Sequence, residues 1–190
     1  MTKDLVVSDE VLAQQAIQDL SCFETLIERY EGKLKCYVLR LTNITVHEAE
    51  DILQEIFLKV WKNLNGFNPS LKFSSWIYRI AHNETISFAR SQKSRGIDKQ
   101  AGIDDAVFEI KSQDLEIGDQ FDQSLDSQSV RSTLALLPNK YKDILVLRFL
   151  EDKSYEEISD ILKKPMGTVA TMINRAKKAF QEIYLRQNKT

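Results

Sequence analysis

The sequence predicts an all-α fold: two small helical domains joined by an acidic linker, the C-terminal one containing a helix-turn-helix. Apolar residues recur at three- and four-residue spacing in two separate blocks, with no alternating strand pattern and no internal repeat. Between the blocks, residues 96–126 hold glycines, glutamines and acids with only isolated Ile, Val and Phe. Charge divides at the same places. Residues 1–95 carry 12 acids and 12 bases, 96–126 carry 9 and 2, and 127–190 carry 7 and 12. Such asymmetry in a chain of net charge −2 points to different partners for its parts.

In the first domain, 1–95, residues 9–64 read as helices. Phe23, Leu26, Ile27, Tyr30, Leu34, Val38 and Leu41 lay one apolar face along the first of them. Thr45-Val46-His47-Glu48 reads as a capping box, a hydroxyl followed three residues on by a carboxylate. It opens a helix with Ala49, Ile52, Leu53, Ile56, Val60 and Leu64 inward, and Gly66 and Pro69 then force a loop. A third helix, roughly Ser74 to Arg90, is rich in aromatics. The linker, taken as a coil, has an r.m.s. reach of roughly 30 Å, and about 100 Å when extended. In the second domain, 127–190, Leu134, Leu137, Tyr141, Ile144, Leu145 and Leu147 flank Pro138, a residue tolerated in a first helical turn. Ser154-Tyr155-Glu156-Glu157 is a second capping box, opening a short helix with Ile158, Ile161 and Leu162 inside. Lys163 to Gly167 breaks that helix, and a longer one begins at Thr168-Val169.

No stretch approaches the roughly 20 apolar residues that span a bilayer. The start of the chain carries an acid early and no sustained apolar run, so neither membrane insertion nor a signal peptide is expected, and the cytoplasm is the expected compartment. Cys22 and Cys36 are the only cysteines, and His47 and His82 do not cluster with them, so no metal or other cofactor is expected. The two thiols read as core packing.

Three constellations carry chemistry. Glu50, Asp51, Gln54 and Glu55 form an exposed stripe in the Ala49–Trp61 segment; without a histidine, metal cluster or pocket it suits protein docking or plain solvation better than acid–base catalysis. Between Phe67 and Arg95, aromatics (Phe67, Phe73, Trp76, Tyr78, Phe88), amides (Asn68, Asn83) and bases (Lys72, Arg79, Arg90, Lys93, Arg95) interleave. Single-stranded nucleic acid is held by this mixture, aromatics stacking on bases and cations following phosphates. The bland reading, that Trp76, Ile77 and Ile80 are core, is adopted for those three. In the C-terminal pair of helices, Val169, Met172, Ile173, Ala176 and Phe180 share one face, while Thr171, Asn174, Arg175, Lys177 and Lys178 fall largely elsewhere. A second helix with polar and basic side chains fits the major groove, its early residues at base edges and its later cations at phosphates. The competing reading is a helical hairpin with a solvated basic face.

Taken together, the chain resembles the extracytoplasmic-function sigma factors, the smallest branch of the sigma-70 family. The motifs are Ala49-Glu50-Asp51-Ile52-Leu53-Gln54-Glu55-Ile56-Phe57 to Trp61, Trp76-Ile77-Tyr78-Arg79-Ile80-Ala81-His82-Asn83, and Leu137-Pro138 through Ser154-Tyr155-Glu156-Glu157-Ile158 and Gly167-Thr168-Val169 to Arg175-Ala176. The resemblance covers roughly residues 20–95 and 128–185 and implies a non-enzymatic promoter-specificity subunit. Its implied partners are core RNA polymerase (beta and beta-prime subunits), promoter DNA and an anti-sigma factor. It implies polymerase docking by Glu50, Asp51, Gln54, Glu55, Lys59 and Trp61. It implies minus-ten recognition by Phe67, Asn68, Lys72, Phe73, Ser74, Trp76, Arg79 and Asn83, and minus-thirty-five recognition by Thr168, Ala170, Thr171, Asn174, Arg175, Lys177 and Lys178. It also implies an acidic linker threading toward the polymerase active-site and RNA-exit region. Three departures stand out: Ala170 and Met172 replace cations of the reading helix, Ser87 an Asp, and Lys163 a Gly. A stand-alone DNA-binding regulator would leave the Phe67–Phe73 loop without a role, and a helical hydrolase lacks a nucleophile or metal constellation.

Overall fold

The computed structural model describes residues 7–94 and 127–187, all of their regular structure helical. The linker expected at 96–126 lies outside the described residues. The described residues divide into two compact units, 7–38 with 46–94, and 39–45 with 127–187. Among the described residues, no helix is long and apolar enough to cross a membrane.

The first unit is built from α1 (Asp9–Gln15), most of α2 (Leu20–Leu41), α3 (Val46–Asn63), a 3-10 turn (Leu64–Gly66) and α4 (Phe73–Ser94). Ser8 caps α1, its Oγ accepting the Val11 N–H at 3.4 Å, and Asp9 and Glu10 in the first turn suit the positive end of the helix dipole. The face of α3 expected to be inward is buried: Ala49, Ile52, Leu53, Ile56 and Val60, with Leu64 in the turn beyond. It packs on α4, which begins at Phe73 and runs four residues past Arg90. Tyr37, Tyr78, Phe73 and Ile77 are among the largest fully buried side chains here, and Phe73 and Ile77 each contribute about 1.5–3 kcal/mol by leaving water. Cys22 and Cys36 are free thiols, only half-buried on α2, so they flank the core and do not fill it.

The second unit contains α5 (Ser127–Leu136), α6 (Asn139–Leu145), a π-helical turn (Val146–Leu150), α7 (Tyr155–Leu162) and α8 (Met166–Gln187). Pro138 stands just before α6, as its missing N–H allows. Ile144, Leu145, Val146 and Leu147 are all buried, four in succession, more than one face of an α-helix can hide. The wider π turn follows, with Glu151 N–H donating to the Val146 carbonyl at 3.0 Å. α5, α6 and α7 all pack on α8.

Candidate nucleic-acid and docking interfaces

On α3, Asp51, Gln54 and Glu55 are exposed, as the stripe requires. Glu50 is engaged: Lys35 Nζ on α2 donates to its Oε1 at 2.6 Å, and this hydrogen bond holds the carboxyl below its usual range. Lys59 is tied to Glu84 of α4 at 2.6 Å, so its charge is partly committed within the unit. Beside the acids runs an open groove of about 720 Å³. Its walls, all from α2 and α3, include Leu20, Phe23, Ile27, Phe57, Leu58 and Trp61, together with Glu50 and Gln54. Leu20, Leu58 and Trp61 are 57%, 49% and 40% exposed, and Trp61 leans on Phe23 with ring centroids 4.9 Å apart. Sequence reading found the acids and Trp61 but missed this apolar half. The signal was present: Phe57, Leu58 and Trp61 are more apolar residues than the inward face of α3 can use.

The loop between the 3-10 turn and α4 rests on an aromatic base. Phe67, Phe73 and Trp76 have ring centroids 5.2 to 5.6 Å apart, and Tyr30 meets Phe73 edge-on at 5.6 Å. This corrects the expectation that Phe67 and Phe73 touch bases. Phe73 has no exposed surface and Phe67 only 8%, so neither offers a ring face for stacking. They shape the loop from beneath. Asn68 is exposed, but its Oδ1 accepts from both the backbone N–H and the hydroxyl of Ser70, at 3.0 and 2.8 Å. That is an Asx-type turn, and it leaves the Asn68 amide nitrogen as the group facing outward.

From Lys72, immediately before α4, Trp76, Arg79 and Asn83 follow at four-, three- and four-residue intervals and form one stripe, with exposed Arg90 a further seven on. Lys72 and Asn83 are exposed, and Trp76 and Arg79 half-buried. Ser74 departs from the expected set: two residues before Trp76, it stands about 160° around the helix from it. His82 is structural. Its Nδ1 lies 3.0 Å from the Tyr37 hydroxyl, and burial lowers its pKa to about 4, so the ring is neutral at physiological pH.

In the second unit, the capping box at Ser154 is present in full: Glu157 N–H donates to Ser154 Oγ at 3.2 Å, and Ser154 N–H donates to Glu157 Oε2 at 2.9 Å. α7 ends at Lys163 in the left-handed conformation, φ 52° and ψ 50°. The chain then turns through Pro165 into α8, which buries Val169, Ile173, Ala176 and Phe180. Thr168, Thr171, Asn174 and the adjacent Arg175, and Lys178 are exposed, recurring every three residues or so along one outer face. The Thr171 hydroxyl donates to the Gly167 carbonyl at 2.9 Å, so it presents lone pairs outward. Ala170 and Lys177 are half-buried at the margins, and the Lys177 ammonium sits 5.9 Å above the Phe149 ring. Met172, the other replaced cation, is also half-buried. Among the described residues, no group of three or more His, Cys, Asp or Glu could hold a metal ion.

Residues 26–95 match the family model of sigma-70 region 2, and residues 127–180 that of sigma-70 region 4. The chain is 33% identical over 177 residues to the ECF RNA polymerase sigma factor SigW of Bacillus subtilis, covering 86% of this chain and 89% of that one. It is 31% identical over 178 residues to the ECF RNA polymerase sigma-E factor of Escherichia coli, covering 91% and 92%. Among solved structures, CnrH in complex with the cytosolic domain of CnrY shares the fold with a TM-score of 0.67 at 23% identity, covering 95% of this chain and 98% of that one. The sigma factor RpoE of Bartonella quintana, in complex with the anti-sigma factor NepR, shares it at 0.63 and 22%, covering 85% and 95%. The α3 motif, the loop with its aromatic base, and the helix-turn-helix each fall inside a matched region, and the chain belongs to the extracytoplasmic-function RNA polymerase sigma factors.

Proposed function

We propose that this sigma factor divides its work among three faces, acts wholly by binding and turns over no substrate. The groove and acidic stripe of α2 and α3 dock on core RNA polymerase. The loop from Phe67 to Phe73 and the Lys72–Trp76–Arg79–Asn83 stripe hold the melted minus-ten strand. The outer face of α8 reads the minus-thirty-five duplex, with Thr168, Thr171 and Asn174 at base edges and Arg175 and Lys178 at phosphates. The work takes place in the cytoplasm, where an anti-sigma protein covering these faces keeps the factor silent. The observation that carries the minus-ten assignment is the loop itself: exposed polar and cationic groups held on a buried aromatic base, leading directly into a cationic helical stripe. A stand-alone duplex-binding regulator has no use for that surface.

Opening a promoter means unstacking bases, at a few kcal/mol per step, and a protein that binds the flipped base offsets this. In Asn68→Ala and Lys72→Ala, core polymerase binding should be retained and open-complex formation slowed on duplex promoter. The defect should shrink on a template already mismatched across the minus-ten region. An equal defect on both templates would remove the strand-capture assignment.

A further inference from the structure

Helix α1 precedes the region 2 match, yet it is pinned to the unit at two adjacent residues. Asp9 accepts from Arg29 Nη1 at 2.6 Å and from the Tyr30 hydroxyl at 2.5 Å, both on α2. Glu10 faces α4 instead: its Oε1 accepts the backbone N–H of Phe73 at 3.0 Å, 63 positions along the chain. Phe73 is the first residue of α4 and the last of the loop, so this N–H is one of the orphan donors that every helix start leaves. The loop is poorly placed to satisfy it. Lys72, immediately before the helix, carries only donors on its side chain, and the Asn68 Oδ1 is occupied by Ser70. A carboxylate at this position is also favoured by the helix dipole. Leu12, Ala13 and Ala16 are buried, so α1 itself is seated and Glu10 is held from a fixed support.

We infer that Glu10 is a positioning residue for minus-ten strand capture, fixing the exit of the loop and with it the placement of Lys72 and Trp76 relative to Asn68. The inference rests on the reading of this loop as the strand-capture surface. Without the Glu10 bond, the Phe73 N–H at the start of α4 loses its partner and the loop exit its tie to α1, while the groove, walled by α2 and α3, is unaltered.

The test uses holoenzyme and a labelled single-stranded oligonucleotide carrying the minus-ten region of the strongest promoter recovered from a runoff library. Glu10→Ala should weaken oligonucleotide binding about tenfold, the low end for a charge-assisted hydrogen bond, and reduce discrimination against substitutions in the minus-ten bases. Glu10→Gln, which keeps an acceptor oxygen, should recover most of both. Core polymerase affinity should stay within about twofold for either variant. Amide exchange at Phe73 should quicken in Glu10→Ala while that of Ile77 is unchanged, a readout independent of DNA. Unchanged binding and discrimination in Glu10→Ala, with Asn68→Ala impaired, overturns the inference and leaves the loop reading standing. If Asn68→Ala binds like wild type, the loop reading falls, and the inference with it. A Glu10→Ala variant that loses core polymerase binding in the same proportion also overturns it, since the residue would then serve the whole fold.

Discussion

Replacing Trp61 with alanine would separate the apolar from the charged part of the proposed docking face. The ring is 40% exposed and stands in the groove wall against Phe23. A Trp side chain presents up to about 250 Å², so roughly 100 Å² of Trp61 is available for a partner to cover. At about 25 cal/mol per Å² this is worth roughly 2.5 kcal/mol, or about 70-fold in Kd. The figure lies within the range of aromatic hot spots at protein interfaces. Titration of fluorescently labelled protein with core polymerase reads the change directly. The apolar loss should be nearly constant with salt, whereas the loss in an Asp51→Lys, Glu55→Lys double variant should shrink as salt screens the exposed charges. Circular dichroism controls for the missing Phe23 contact. Wild-type affinity in Trp61→Ala, with the double variant still impaired, would mean that the acids alone dock and the groove takes no part.

Two further outcomes follow from the second unit. Asp143 is buried, its Oδ1 has no hydrogen-bond partner, and burial raises its pKa from 3.8 to about 6. The folded state therefore holds this proton more tightly than the unfolded chain. Its stability contribution is complete below about pH 4 and is lost as pH rises through 6, about 3 kcal/mol in all. Asp143→Asn should raise the thermal midpoint at pH 7.5 and change it little at pH 4, and an equal shift at both pH values would show that the carboxyl does not titrate in this way. On α8, Arg175→Ala should weaken duplex binding across sequences and flatten its salt dependence by about one unit of slope, while Thr171→Ala should change base preference. The reverse pattern in a binding series over promoter variants would mean that the helix lies in the groove the other way round.

The helical architecture was legible because it rests on local chemistry. The capping box at Ser154 satisfies backbone groups three residues apart, and the inward face of α3 follows from a 3.6-residue period, so both could be read without tertiary knowledge. The stretch from Ile144 to Leu147 was legible as apolar, but the π turn that begins within it, at Val146, has no signature in the spacing of its residues. Lys163 shows how tertiary context overrides preference: it takes the left-handed conformation where the family often has glycine, at roughly 1–2 kcal/mol for a residue with a Cβ. At the site, side-chain identity was legible and side-chain roles were not. Phe67 and Phe73 have the composition of a base-stacking surface, but only packing against Tyr30 and Trp76 shows that they are buried. The Glu10–Phe73 bond spans 63 positions and has no periodic signature at all.

That burial changes how the loop would earn its affinity. An exposed, mobile pair of phenylalanines would have to be ordered as the strand arrives, at about 0.5–1.5 kcal/mol for each immobilised side chain. Here the ordering is completed on folding: Phe67, Phe73 and Trp76 are locked together, Asn68 is fixed by Ser70, and Phe73 N–H is held by Glu10. On the proposed reading the strand would meet a surface that needs little rearrangement, and the ordering saved, about 1–3 kcal/mol for two rings, would offset part of the stacking that their burial gives up, about 1–3 kcal/mol per base. The outer face of α8 is different in kind. With Ala170 and Met172 in place of cations and Lys177 resting over Phe149, only Arg175 and Lys178 are exposed among the basic residues between Thr168 and Lys178. Each phosphate neutralised contributes about 0.9 to the salt slope on duplex DNA. On the proposed reading, a helix with two exposed cations would hold its duplex weakly by charge alone and would leave more of promoter choice to the pre-ordered loop.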